Sequence, residues 1–144
     1  VVLSETNYYV LAYIAGMVNE GFYTKGGTIR SVPVAIGGTS YIPPIPLEVE
    51  VKESIKSILQ AKDDEVEKAI QLCLYCMKTQ VFIDGNKRAS IIFAKHYLIQ
   101  KGKGLLVVPE AKVEDFKKLL VAYYEGKDED EIVKFFMDEC WRKF

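Results

Sequence analysis

Apolar positions recur at spacings of three and four over most of the chain, the mark of helices with one face turned to a core. Residues 5–20 carry Tyr9, Val10, Tyr13, Ile14 and Met17 on that spacing, which predicts a first helix broken by Gly21, Gly26 and Gly27. From Leu47 the period resumes with Val51, Ile55, Ile58 and Leu59. Asp63 or Asp64 can cap the next helix, whose stripe of Val66, Ala69, Ile70, Cys73, Leu74 and Met77 is the strongest helical signal in the chain. Lys87 to Gln100 reads as a further apolar-rich helix, stopped near Gly102 and Gly104. After a short extended run from Leu105 to Val108, Pro109 can open a helix with Phe116, Leu119, Leu120, Tyr123 and Tyr124 facing inward. Asp128 to Trp141 gives a last helix, with Ile132, Phe136 and Cys140 four apart and acids in its first turn that suit the helix dipole.

Residues 28–46 break the period. Val32, Val34 and Ile36 alternate, Gly37-Gly38-Thr39 follows, and Ser40-Tyr41-Ile42 comes after, the pattern of a β-hairpin with a glycine turn. Pro33 cannot donate to a ladder, so its strand is an edge or irregular one. Pro43, Pro44 and Pro46 stop either kind of element. An isolated hairpin is marginal in water, so this one must pack on helices. With no repeat, linker or low-complexity segment, the expected fold is mainly α: one domain over 1–144, a helical bundle carrying one hairpin. A chain of 144 residues is the usual size of one domain.

Composition narrows the partners. Nineteen Lys and Arg against twenty Asp and Glu leave a net charge of -1, so no global basic field drives nucleic-acid binding. No apolar run reaches the roughly 18–20 residues that a membrane helix needs. VVLSETNYYV lacks the basic start and cleavage site of a signal peptide. The odd count of three cysteines argues against a complete disulfide framework, and the expected setting is reducing and cytoplasmic. Cys73 and Cys76 form a C-x-x-C, but the spacing falls within a helix and Cys73 lies on its apolar stripe. Buried thiols are the expectation there.

The chemistry concentrates in Gln80 to Arg88, QVFIDGNKR. Asp84-Gly85-Asn86 tolerates tight turning, and a helix starts directly after it. The first amides of that helix lack intrahelical partners, and its dipole is positive at that end. Lys87 and Arg88 add two cations where helix stability alone would favour acids, at a cost of about 0.3–1 kcal/mol each. An anionic ligand such as a phosphate explains them better. Asp84 beside such phosphates can hold Mg²⁺, and Gly85 would let a ligand approach the backbone. The competing reading is an ordinary turn followed by a solvated face. His96, the only histidine, lies eight residues after Arg88, about 12 Å along the helix. It is expected on the helix surface, too far away for direct proton transfer.

QVFIDGNKRAS resembles the Fic/Doc motif, His-x-Phe-x-Asp/Glu-Gly-Asn-Gly/Lys-Arg, with Gln80 in place of the histidine. IRSVPVAIGGTSYIPPIP looks like the family's flap and the proline segment after it. The order of elements agrees as well, so the resemblance covers roughly Ile14 to Trp141. It implies a Fic-like helical bundle that binds ATP with Mg²⁺ and moves AMP onto a protein hydroxyl. Asp84 would hold the metal, while Gly85, Asn86, Lys87 and Arg88 would form the phosphate site. The flap residues Ile36, Gly37, Gly38, Thr39 and Tyr41 would grip the target protein by strand addition.

This chain departs from the motif at three positions. At Gln80 an amide, which cannot act as a general base near neutral pH, replaces the histidine that takes the target's proton. Lys87 resembles the Doc branch, which phosphorylates its target. Ile91 stands where many members carry a second arginine. The expectation is therefore a nucleotide-binding domain with weakened or altered transfer. The alternatives are a non-catalytic interaction module that uses the flap, or a Doc-like toxin kinase. Family members are often silenced by a helix ending in Glu-Gly or Glu-Asn. Glu20-Gly21 and Glu125-Gly126 match it only in part, which leaves a segment before Val1, an inhibitory partner or a homo-oligomer to supply one.

Overall fold

The computed structural model describes residues 5–19 and 27–144. The chain is mainly helical, as expected. α1 spans Tyr8–Val18, α2 Glu48–Gln60, α3 Glu65–Thr79 and α4 Asn86–Gln100. After β1, Leu105–Leu106, come a 3-10 turn at Glu110–Lys112, α5 at Val113–Tyr124 and α6 at Asp130–Phe135. A π-helical turn over Phe136–Cys140 leads to β2, Trp141–Arg142.

The centre is the α3–α4 pair. α3 is buried on almost every side, through Ala69, Ile70, Leu72, Cys73, Leu74, Cys76 and Met77. Asp64 caps it by accepting from Val66 N at 3.1 Å, with Glu65 and Glu67 in the first turn and Lys78 in the last, each suited to the dipole. The Tyr97 hydroxyl, near the end of α4, bonds Glu65 at the start of α3, so the two helices run antiparallel. α1 lies along α4. Its leading residue Thr6 reaches His96, and Asn19, which follows it, reaches the carbonyl of Asp84.

Four expectations are corrected. The first is the buried face of α1, which comprises Tyr8, Val10, Leu11, Ile14 and Ala15, while Tyr9, Tyr13 and Met17 face out. YYVLAYIAGMV is apolar nearly all round, so its spacing alone admits more than one inward face. The second is His96, which is only 4 % exposed and has Nδ1 3.1 Å from Thr6 Oγ1. The start of α1 covers the last turn of α4 and buries a residue that looks solvated in sequence.

The third correction is the hairpin. Residues 28–46 turn at Gly37-Gly38 but form no strand. Antiparallel pairing occurs elsewhere, between Leu105 and Arg142 and between Leu106 and Trp141. The reason is the Arg30 side chain, which is 2 % exposed. Its guanidinium donates to the carbonyl of Val32, inside the expected first strand, at 2.9 Å, and to that of Pro44, just past the expected second strand, at 2.7 Å, and so holds the two limbs from the side. The prolines supply no N–H for a ladder. The segment is thus a loop held by a side chain. The last helix also differs: Ile132, Phe136 and Cys140 are buried as expected, but the α-helix gives way to the π turn after Phe135.

Candidate functional site

The loop 80–85 joins the two most buried helices, and its shape follows from their ends. Gln80 ends α3 in left-handed backbone, φ 51° and ψ 63°, the only described residue other than glycine with positive φ. Its side chain is engaged at both ends: Nε2 donates to Met77 O at 2.6 Å, and Oε1 accepts from Asn86 Nδ2 at 3.2 Å. Asn86 is the clamp of the loop. Its Oδ1 accepts from Phe82 N at 2.9 Å and its Nδ2 donates to Phe82 O at 2.7 Å. Ser90 Oγ donates to Asn86 O at 2.6 Å. Val81 and Phe82 are buried beneath and anchor the loop.

What this scaffold presents outward is charged. Asp84, Lys87 and Arg88 are exposed at the start of α4. That helix has neither a side-chain cap nor an acid in its first turn. Asp84 Oδ1 accepts from Gly85 N at 2.8 Å, which orients the carboxylate at the tip of the loop. The expected phosphate site therefore divides. Lys87 and Arg88 project to solvent, whereas the Asn86 side chain is committed to the loop, so only its backbone can meet a ligand.

Gly85 has an intramolecular reason to be glycine. Its φ is 72°, and a Cβ there would lie 2.8 Å from Asn19 Oδ1 and 2.9 Å from Val18 Cγ1. Gly85→Ala is expected to cost about 1–3 kcal/mol from strain and crowding. It should also loosen the Asn19–Asp84 contact, measurable as a lower melting temperature and as shifts of the residue 82–88 amides.

The flap residues fall in two groups. Gly37 and Gly38 are exposed at the turn, while Ile36 and Tyr41 pack against the core. Thr39 Oγ1 donates to Glu125 Oε2 at 2.6 Å, and Tyr41 stacks on Tyr124 with centroids 6.3 Å apart. Lys78 sits over the rings of Tyr41 and Tyr123, at 5.4 and 4.9 Å. Glu125 therefore reaches the flap; Glu20-Gly21 lies outside the described residues. The residue that sequence reasoning missed is Arg30. It joins the base of the flap to the loop by bonding the carbonyls of Thr79 and Gln80, and its own amide donates to Val81 O at 3.0 Å. Its only sequence signal was a lone cation among apolar and small neighbours.

The cysteines are all free and buried. Burial raises the Cys73 thiol well above its usual range and pushes Cys76 to about 12 and Cys140 to about 11. They stay protonated at neutral pH, and the C-x-x-C is core.

A loop of this form, entered from a buried helix, clamped by asparagine and leading into an uncapped helix, has a match by sequence. A sequence model of the Fic/DOC family matches residues 6–98, more than half of the chain. The chain belongs to the Fic/DOC family. Curated proteins include none that matches it. The Fic/DOC match contains α1 to α3, the flap segment, the loop and most of α4. It therefore holds Asp84, Lys87 and Arg88, while Glu125, α5 and α6 lie beyond it.

Proposed function

We propose that this Fic/DOC domain binds the phosphates of ATP at the start of α4 and transfers AMP to a protein hydroxyl only weakly. The observation that carries the reading is the division of labour at Asn86. Its buried side chain fixes the loop, while Lys87, Arg88 and the first amides of an uncapped helix are left to meet an anion. Arg88 is the residue able to pair a phosphate in two-point fashion.

Among the described residues no three His, Cys, Asp or Glu side chains could hold a metal together. A single carboxylate at Asp84 fits Mg²⁺ only where the nucleotide supplies further oxygens, as Mg²⁺ sites on phosphates commonly require. When bound with the nucleotide, the ion would neutralise phosphate charge. The chain's own part is to orient the nucleotide through Asp84 and Arg88. The flap at Gly37-Gly38 offers the exposed backbone against which a target segment would lie.

Titration with Mg-ATP by calorimetry tests this. Binding should be saturable, and both Asp84→Ala and Arg88→Ala should weaken it by about ten- to a hundredfold, the worth of a hydrogen bond to a charged group. Absence of heat at millimolar Mg-ATP sinks the proposal.

A second reading, a binding module without catalysis, is favoured by Gln80. Both polar ends of its amide are occupied within the fold. His96 sits at the far end of α4, where it cannot take the missing base's place. A Doc-like kinase would need that same base. Radiolabelled ATP added with cell lysate separates these readings: labelled protein bands that vanish in Asp84→Ala refute the inert module.

A further inference from the structure

At the opposite end of the α3–α4 pair lies a cleft of about 520 Å³, large enough for a small organic ligand. It is formed by the start of α1, the second half of α2, the first turn of α3 and the last turn of α4. α3 separates it from the loop 80–85 by its own length of 15 residues, roughly 22 Å. A ligand there would be distinct from one held at Arg88.

The lining is more cationic than the chain as a whole. Lys52, Lys56, Lys68 and Lys101 face Glu5 and Glu65, in a protein whose net charge is -1. Lys52 is already compensated, being 3.2 Å from Glu48 and 4.8 Å from the Tyr9 ring centroid. Lys68 is not. It is 9 % exposed, and its ammonium donates to Leu59 O at 3.1 Å. Glu65 stands at 4.0 Å, the outer limit of an ion pair, and that carboxylate also takes the Tyr97 hydroxyl. An ammonium at the cleft wall with three donors, one short neutral acceptor and one carboxylate at 4.0 Å can take a further anionic acceptor. Burial and Glu65 push the Tyr97 phenol up, so it remains a neutral donor beside that cation. Ile55, Leu59 and the Tyr8 ring supply apolar wall.

We propose that this cleft is a second ligand site, taking a small molecule with one anionic group on an aromatic body. Lys68 is the buried cation, Lys56 and Lys101 stand at the rim, and Ile55, Leu59 and Tyr8 cover the ring. A phosphate or a carboxylate meets the same chemistry, and the probes distinguish them.

The experiment is titration of the isotope-labelled protein, followed by amide NMR, with phenyl phosphate, benzoate, phenol and inorganic phosphate as separate probes. Phenyl phosphate, benzoate or both should give saturable shifts at Lys68, Tyr97 and Gln100. Phenol and inorganic phosphate should each bind at least about tenfold more weakly, for want of the charge or of the ring. Lys68→Met should weaken the better probe by about tenfold or more. The exposed pair Lys56→Glu with Lys101→Glu should do the same without threatening the fold, and so decides the matter if Lys68→Met unfolds. Arg88→Ala should leave the cleft shifts unchanged. Shifts confined to residues 82–88, phenol binding equal to the charged probes, inorganic phosphate binding equal to them, or no loss in the rim pair would each overturn the proposal.

Discussion

Gln80→His is expected to raise the transfer of label from ATP to protein by about 10²–10⁴, the usual worth of a positioned general base. The backbone is suited to the change. Gln80 occupies φ 51°, ψ 63°, a left-handed conformation in which histidine is enriched over most residues. The replacement gives up the bonds to Met77 O and from Asn86 Nδ2. At about 0.5–1.5 kcal/mol each, the variant should melt a few degrees lower while reacting faster. A base must be deprotonated to accept a proton, so the gained activity should rise with pH through about 6.5, the ordinary imidazole pKa. Rates across pH 5–8 with radiolabelled ATP check both the gain and its sign. Unchanged transfer in a variant that still binds Mg-ATP would show that Lys87 and Ile91 have turned the site to another task.

Arg30→Met is expected to have the largest effect on stability. The guanidinium bonds the carbonyls of Val32, Pro44, Thr79 and Gln80, and a fifth, Pro43, stands at 3.5 Å. Methionine fills part of the volume but leaves these acceptors without their charged donor in a part-buried setting. Bonds to a charged group contribute about 1.5–3 kcal/mol each, but they are not additive, and desolvation of the cation offsets part of them. A net loss of about 3–5 kcal/mol follows, or a fall of roughly 10 °C in melting temperature for a chain of this size. Arg30→Lys keeps the charge without the planar fork and should recover less than half of the loss. Because Arg30 ties the flap base to Thr79 and Gln80, Mg-ATP affinity in the surviving fraction should fall as well. A melting temperature within two or three degrees of the parent (about 1 kcal/mol) would refute this role.

Much of this protein was legible in its sequence. The α3 stripe, an aspartate cap at 63 or 64 and the buried thiols follow from periodicity and residue type, because α3 is central and its stripe admits one reading. QVFIDGNKR declared itself as a loop that opens a helix, since Gly85, Asn86 and a cationic first turn have few other uses. Other features were invisible for a common reason: each depends on residues distant in the chain. The inward face of α1 is chosen by α4 and not by its own spacing. His96 is buried because Thr6, 90 positions away, lies over it. The alternation of Val32, Val34 and Ile36 describes a strand, yet Arg30 takes the Val32 carbonyl and ties the segment to Pro44, Thr79 and Gln80 instead. Asn86 reads as a phosphate ligand until its side chain is found to bind Phe82 at both its amide and its carbonyl. Sequence by itself determined the helices before the π turn at Phe136, the core of α3 and the charged residues at the loop, all set by local propensity and period. Only the tertiary structure decided the flap's form, the burial of Arg30, Lys68 and His96, and the locked amide of Gln80. Those depend on which carbonyls and charges remain unsatisfied once the helices have packed.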